Sequence, residues 1–390
     1  MGKRIGMEVS IAAAEAVKQA NVDVISAYPI TPQTHIVEHL SELVANGELD
    51  AEFFCVESEH SALSVCLGAA ATGARTFTCT SSQGLVLMSE ITYIASGLRL
   101  PMLMIISNRT ISAPLSIWND HSDVMSIRDC GWIQFFVENG QEVYDHVFVS
   151  YRLAEDRNVL FPVIINMDGF ILSHVIEPIE LIEQEKINQF LPPYQPLYQL
   201  HPDHPVTMGA FALPSIFAEA KKAQEEALLS SIPKITETWK AFGDMTGRYY
   251  NPVEIYKAED ADTLLVTMGC FGETASVAVD KMREGGKSVG LVKIRLWRPF
   301  PFDDLKKATI DAKQLVVIDR AISVGACGPV AAEVKAALYG KDQRPSVYNF
   351  VAGISGRDVT SSDFIKMVDK AEREMEEGNK EGYEIYGVRG

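Results

Sequence analysis

The chain has 390 residues, 47% hydrophobic and 22% charged, the make-up of a globular protein with ample core and two or three domains. A net charge of −17 argues against a nucleic-acid or anionic-membrane surface. No apolar run reaches the roughly 18 residues of a membrane span. The start, Met1-Gly2-Lys3-Arg4, runs into a stretch with Glu8 and Glu15 and does not read as a signal peptide.

Periodicity then alternates between helix and strand. It predicts a helix over Met7–Ala20, a strand over Val22–Ala27 and a helix over Pro32–Ala45, with Thr31 as N-cap and Pro32 at the first helical position. A strand over Glu52–Val56 leads into a helix over Ser58–Gly73, with Ser58 as N-cap and Glu59 in its first turn. Next come a strand over Arg75–Thr80, a helix over Leu85–Ser96 and a strand over Met102–Ser107. The segment Arg109–Met125, rich in Ser, Asn, Asp and His, reads as a functional loop. Strands at Phe135–Val137 and Val159–Asn166 flank a helix near Gln141–Glu155. Alternation of this kind implies a parallel sheet covered by helices, and strand ends that carry polar groups onto helix starts make a ligand crevice.

The region from about 173 to 258 is extended and Pro-rich around Leu191–Pro196 and His201–Pro205, with helices over Ala218–Ser230 and Pro233–Phe242. It reads as a connecting segment that wraps another surface. A second α/β unit follows, with strands at Leu264–Met268, Ser288–Arg295, Leu315–Ile318 and Ser346–Val351, and helices at Glu273–Glu284 and Pro329–Tyr339. The run Glu372–Glu377 reads as a charged, frayed helical tail. The six cysteines, Cys55, Cys66, Cys79, Cys130, Cys270 and Cys327, include no Cys-x-x-Cys pair. They are expected to be small, mostly buried thiols in a reducing cytoplasm, and their spacing does not suit an iron–sulfur cluster.

The segments Tyr28-Pro29-Ile30-Thr31-Pro32 and Val56-Glu57-Ser58-Glu59-His60 resemble the α subunit of the pyruvate:ferredoxin oxidoreductase family, thiamine-diphosphate enzymes that oxidise 2-oxoacids. The likeness continues in order through Thr80-Ser81-Ser82-Gln83-Gly84, Ser107-Asn108-Arg109, Asp120-His121-Ser122-Asp123, Gly131-Trp132-Ile133-Gln134, Asp168-Gly169-Phe170, Arg298-Pro299-Phe300-Pro301 and Ile318-Asp319-Arg320-Ala321. It implies a pyrimidine-binding domain with a parallel sheet over residues 1–180, a connecting segment over 181–258 and a transketolase C-terminal-like α/β domain over 259–390.

Glu59 resembles the family glutamate that hydrogen-bonds the aminopyrimidine ring, a contact that activates the thiazolium carbon and calls for a nearly desolvated carboxyl. Position alone also suits a helix-start Glu favoured by the macrodipole; the ordered motif set favours the cofactor role. Arg109, at the carboxyl end of a strand, suits bidentate capture of a carboxylate, which the resemblance assigns to the 2-oxoacid. A surface salt bridge is its plain alternative. Thr31 resembles a threonine that bonds substrate near the cofactor and can cap a helix as well. Tyr28, Pro29 and Ser82 are expected beside the cofactor, although the Ser81–Gly84 stretch equally suits a tight turn. Ile111 and Ile117 are expected as pocket walls with Thr31 and Arg109. Asp120, His121 and Asp123 are too loosely spaced for a metal site, so no metal is expected on this chain. The Gly325–Gly328 stretch suits close helix packing better than phosphate binding.

Thiamine diphosphate also needs a divalent cation on its diphosphate, held in the family by a Gly-Asp-Gly motif. Gly243-Asp244-Met245 is not that motif. The resemblance therefore implies that thiamine diphosphate is shared with a β subunit, which holds Mg²⁺, that β, γ and δ subunits are partners in the complex, and that [4Fe-4S] clusters sit in partner subunits. The implied reaction is oxidative decarboxylation of a 2-oxoacid, pyruvate foremost, to its acyl-CoA, with coenzyme A and ferredoxin as co-substrates. Branched-chain 2-oxoacid and 2-oxoglutarate oxidoreductases are the alternatives in the same class. Half of a split transketolase would need more basic residues than Arg109 in its loop, and a vestigial scaffold would not need both Glu59 and Arg109.

Overall fold

In chain order the first half runs β1 (Arg4–Glu8), α1 (Val9–Gln19), β2 (Val24–Ala27), α2 (Thr34–Ala45), β3 (Glu52–Cys55), α3 (Glu59–Ala71), β4 (Thr76–Thr80), α4 (Ser82–Leu98), β5 (Leu103–Asn108), α5 (Ser122–Ser126), β6 (Ile133–Phe136), α6 (Gly140–Ala154), β7 (Val163–Asp168) and β8 (Ile176–Glu180). Three helices follow, α7 (Gln184–Phe190), α8 (Pro214–Leu229) and α9 (Ile232–Thr246). The second half comprises β9 (Val253–Tyr256), β10 (Thr263–Met268), α10 (Phe271–Glu284), β11 (Val289–Ile294), β12 (Leu296–Arg298), α11 (Phe302–Thr309), β13 (Gln314–Asp319), α12 (Pro329–Leu338), β14 (Ser346–Val351), α13 (Ser361–Glu376) and β15 (Glu381–Ile385). This computed structural model describes residues 3–340, 344–379 and 381–389; Met1 and Gly2, which the sequence reading took with the N-terminal stretch, lie outside them.

The first sheet has seven strands in the order β12-β6-β7-β5-β4-β2-β3. All neighbours are parallel except β12, which runs antiparallel to β6. Its central strands β4, β5 and β7 are buried along their whole length, as strands covered on both faces must be. The chain passes from β2 to β3 on one side and returns to β4 on the other. That reversal opens a crevice at the carboxyl ends of β2 and β4. The second sheet has six strands, β15-β14-β13-β10-β11-β9, parallel except for β9. A short antiparallel ribbon joins β1 to β8. Small residues let α1 pack closely, with Ala12, Ala13, Ala14 and Ala16 fully buried in one core with Val143, Val147 and Phe161.

The structure differs from several expectations. Helix α2 starts at Thr34, with Gln33 in the cap position and no side-chain cap bond, so Thr31 is not an N-cap and Pro32 lies ahead of the helix. The Ser82–Gly84 stretch is the first turn of α4, not a free-standing turn. The predicted first helix is preceded by strand β1. Strands β8, β9, β12 and β15 and helices α7 and α11 were not anticipated. The charged run at Glu372–Glu377 is the end of α13, a helix with a Thr360–Asp363 capping box that buries Phe364, Met367, Val368 and Ala371. Of the thiols, Cys66, Cys79 and Cys130 are buried, Cys270 and Cys327 half-buried, and Cys55 exposed. Among the described residues no helix is long and apolar enough to cross a membrane.

Candidate active site

The loops after β2, β3, β4 and β5 converge at the crevice. Ser58 caps α3 with its hydroxyl, which accepts from Ser61 N at 3.2 Å, and so fixes Glu59 at the first helical position. Glu59 is only 7% exposed. Among the described residues its carboxylate has no hydrogen-bond partner. Helix α4 comes up against it at a glycine: a Cβ on Gly84 would lie 2.6 Å from both Glu59 Oε1 and Thr80 Oγ1. Thr80 Oγ1 and Gln83 Nε2 are buried polar atoms that also lack a partner. The missing side chain lets α4 close onto Glu59 and Thr80, and it leaves the Glu59 carboxylate and Thr80 Oγ1 near each other without partners, where buried polar groups ordinarily find them.

Arg109 follows β5 and is equally buried. Its Nε donates to Ser116 O and its Nη1 to Thr31 O, each at 2.9 Å. Both acceptors are neutral carbonyls, and among the described residues Nη2 has no partner. Burial pulls the guanidinium pKa down from its ordinary value, and the nearby Asp123 charge opposes that shift. Such a cation retains the capacity to pair with an anion.

Thr31 is exposed and meets Arg109 through its carbonyl. Tyr28 and Pro29 are exposed beside it. Their turn is held by Gln33, a residue the sequence reading passed over, whose Nε2 donates to Tyr28 O at 2.9 Å and whose Oε1 accepts from the Cys79 thiol at 3.2 Å. Ser82 is fully buried with φ +48°, and its hydroxyl lies 2.5 Å from Thr110 O and from Gln83 Oε1. Ile111 is half-buried with its N–H on Ser122 Oγ at 3.0 Å, and Ile117 is 41% exposed. The structure therefore brings Arg109 to Thr31 and Ser82 to the Arg109 loop, while Glu59 stands with Thr80 and Gly84.

Sequence reasoning also missed what Asp123 does. Its Oδ1 accepts from Asn108 Nδ2 at 3.0 Å and Val124 N at 2.8 Å, and its Oδ2 from Ser82 N at 3.1 Å and Arg109 N at 2.9 Å. Burial pushes its carboxyl up to about 7 against the pull of those bonds. Asp120 instead accepts from Ser122 N and Oγ and from Ser355 N. His121 turns to Asp168, whose carboxylate also takes Asn119 Nδ2, Arg320 Nη1 and Cys270 N. Burial opposes ionisation of Asp168, but Arg320 and His121 outweigh it and hold its carboxyl below the usual range. This network stitches the end of β7 to the second sheet. Elsewhere Glu8, His35 and His174 lie together, with His35 Nδ1 2.6 Å from Glu8 Oε1 and His174 Nδ1 2.7 Å from Ser173 Oγ.

A nearly buried, unpartnered carboxylate thus stands at a helix start by the switch point of a parallel sheet. The comparisons give the class, a thiamine-diphosphate-binding oxidoreductase domain. Residues 15–239 match the family described as pyruvate flavodoxin/ferredoxin oxidoreductase, thiamine diP-bdg, and residues 261–364 match pyruvate:ferredoxin oxidoreductase core domain II. The chain belongs to the pyruvate flavodoxin/ferredoxin oxidoreductase family. It is 45% identical to the pyruvate synthase subunit PorA of Pyrococcus furiosus over 376 residues, covering 96% of this chain and 95% of that one. It is 42% identical to the ketoisovalerate oxidoreductase subunit VorA of Pyrococcus abyssi over 369 residues, covering 94% and 93%. A 2-oxoglutarate:ferredoxin oxidoreductase from Magnetococcus marinus superposes with TM-score 0.70 at 20% identity, over 95% of this chain and 65% of that one. A split-gene transketolase in an inactive β4 tetramer superposes with TM-score 0.54 at 13% identity, over 94% and 98%; both speak to the fold alone.

Proposed function

We propose that this chain is the thiamine-binding α subunit of a complex that oxidatively decarboxylates pyruvate to acetyl-CoA with ferredoxin as electron acceptor. The observation that carries the reading is near-full-length identity of 45% to a pyruvate synthase subunit. The family's thiamine diphosphate fits the residues present: the nearly buried Glu59 carboxylate and Thr80 Oγ1 lack protein partners, and Gly84 lets α4 pack close against both. Glu59 would hold the pyrimidine end, with Tyr28, Pro29 and Ser82 around it. When bound, the cofactor supplies the nucleophilic carbon and electron sink for loss of carbon dioxide.

This chain's own residues do the rest. Glu59 holds or gives up a proton at its carboxyl, in a setting nearly free of water. Arg109 binds the oxoacid carboxylate and orients it, its guanidinium kept in place by the Ser116 and Thr31 carbonyls. Thr31, Ile111 and Ile117 bound the substrate pocket. Partner subunits supply the Mg²⁺-diphosphate site and the [4Fe-4S] clusters: a β subunit for the first, with γ and δ subunits completing the complex in the cytoplasm. The working division of the chain is 1–180, 181–258 and 259–390.

The 42% identity to a ketoisovalerate oxidoreductase subunit supports a branched-chain 2-oxoacid as the second reading. The test is ferredoxin reduction by the complex purified with its co-encoded partners, with pyruvate, 2-ketoisovalerate and 2-oxoglutarate in parallel. The highest kcat/KM on pyruvate is expected. A preference for 2-ketoisovalerate transfers the assignment to the second reading, and no turnover of any oxoacid in an intact, thiamine-loaded complex refutes the reaction.

A further inference from the structure

We propose that Asp123 is a positioning residue that sets the register between the two sides of the active site. The inference rests on the reading of Arg109 as the group that binds the substrate carboxylate. Four N–H donors from four places converge on this one carboxylate: the end of β5 at Asn108, the loop at Arg109, the start of α4 at Ser82 and the start of α5 at Val124. Oδ2 alone bridges Ser82 N and Arg109 N. Two residues beyond Ser82 stands Gly84, which abuts Glu59. One oxygen atom thus ties the helix turn that shapes the Glu59 side to the residue that carries the cation.

The tie matters because the bonds of the guanidinium itself do not reach α4. Its two protein bonds go to carbonyls of loop residues, Ser116 and Thr31. What fixes Arg109 relative to α4 is its backbone bond to Asp123. All four partners of Asp123 are donors, so only a group that accepts at both ends serves. Asparagine is nearly isosteric, yet it turns an NH₂ toward one pair of N–H groups and leaves buried donors without an acceptor.

The test is a double-mutant cycle on the complex purified with its partner subunits. Asp123→Asn is expected to raise KM for pyruvate roughly tenfold to a hundredfold, with a smaller change in kcat and unchanged thiamine content. In an Arg109→Ala background the same substitution is expected to cost less than about twofold more, because the group it positions is gone. Equal losses in both backgrounds, or an unchanged KM in the single variant, overturn the proposal and leave Asp123 as a general stabiliser. Arg109→Ala with normal pyruvate kinetics overturns it by a different route, since it removes the reading of Arg109 itself. If Asp123→Asn does not assemble, Asn108→Ala removes one donor and keeps the carboxylate. A several-fold rise in KM is then expected, and an unchanged KM overturns the proposal.

Discussion

Gly84 and Glu59 touch across the gap between α4 and α3: a Cβ on Gly84 would sit 2.6 Å from Glu59 Oε1 and 2.8 Å from its Cγ. Real Cβ atoms do not come that close, so Gly84→Ala must displace the carboxylate. Displacing a reacting group by about 1 Å can cost about a hundredfold. Oxoacid-dependent ferredoxin reduction by the Gly84→Ala complex is expected to fall by about that factor, with subunit assembly intact by gel filtration. Wild-type turnover in this variant would mean that the carboxylate's position is not set by α4.

Glu59→Gln keeps the shape and removes the ionisable proton. General acid–base contributions run to about 10²–10⁴-fold. Exchange of the proton on the cofactor's reactive carbon, followed by quenched-flow NMR, is expected to slow by that order in the assembled complex. Fast exchange would return Glu59 to the role of a helix-start residue.

Arg109→Ala is expected to lower kcat/KM for pyruvate by roughly 30-fold to several thousand-fold, since removing one partner of a buried charge pair costs about 2–5 kcal/mol. Arg109→Lys should restore only part, because an ammonium cannot reproduce the two-pronged bond to a carboxylate or hold both loop carbonyls in the same way. Thiamine content per complex should stay normal in both. A loss of thiamine in Arg109→Ala would point to a cofactor contact instead.

His146 predicts how stability depends on acidity. Its Nδ1 lies 2.8 Å from Glu142 O, and its Nε2 accepts from Trp239 Nε1 at 3.2 Å, a pattern that needs neutral imidazole. Burial is the chief cause that brings its pKa down from 6.5 to about 4. Between those values the unfolded chain binds a proton that the folded chain refuses. The contribution is therefore full above about 6.5 and is lost as the pH falls toward 4, about 3 kcal/mol in all. Urea unfolding at pH 7.5 and pH 5 should show the drop, and His146→Gln should flatten it. An undiminished drop in the variant would assign it to other groups.

What could be read from the sequence was whatever local rules decide. The Ser58 cap and Glu59 were legible because a polar residue at the cap, followed by a helix of small residues, permits little else. Thr31-Pro32 obeyed the same rule and yet lies in a turn ahead of α2, where the Thr31 carbonyl accepts from Arg109, 78 residues away. Ser82–Gly84 looked like a turn for want of an apolar residue. Its place at the start of α4 is held from outside, by the Ser82 N–H donating to Asp123, with Ser82 itself at a left-handed φ of +48°. Phe364, Met367, Val368 and Ala371 carry the helical spacing that marks α13 as packed, ahead of the charged run at its end. The role of Asp123 had no local signature, since its four partners come together only in the folded chain.

Strand β12 carries a consequence for how the protein is made. Its Leu296 and Arg298 lie opposite Phe135 and Gln134 of β6, yet they leave the ribosome more than a hundred residues later. Until then the rim of the first sheet at β6 stands bare, with backbone donors and acceptors on offer to any neighbouring chain. The nascent first half therefore passes through a sticky stage that ends only when Arg298 arrives. Fragments that stop short of it should be prone to precipitate.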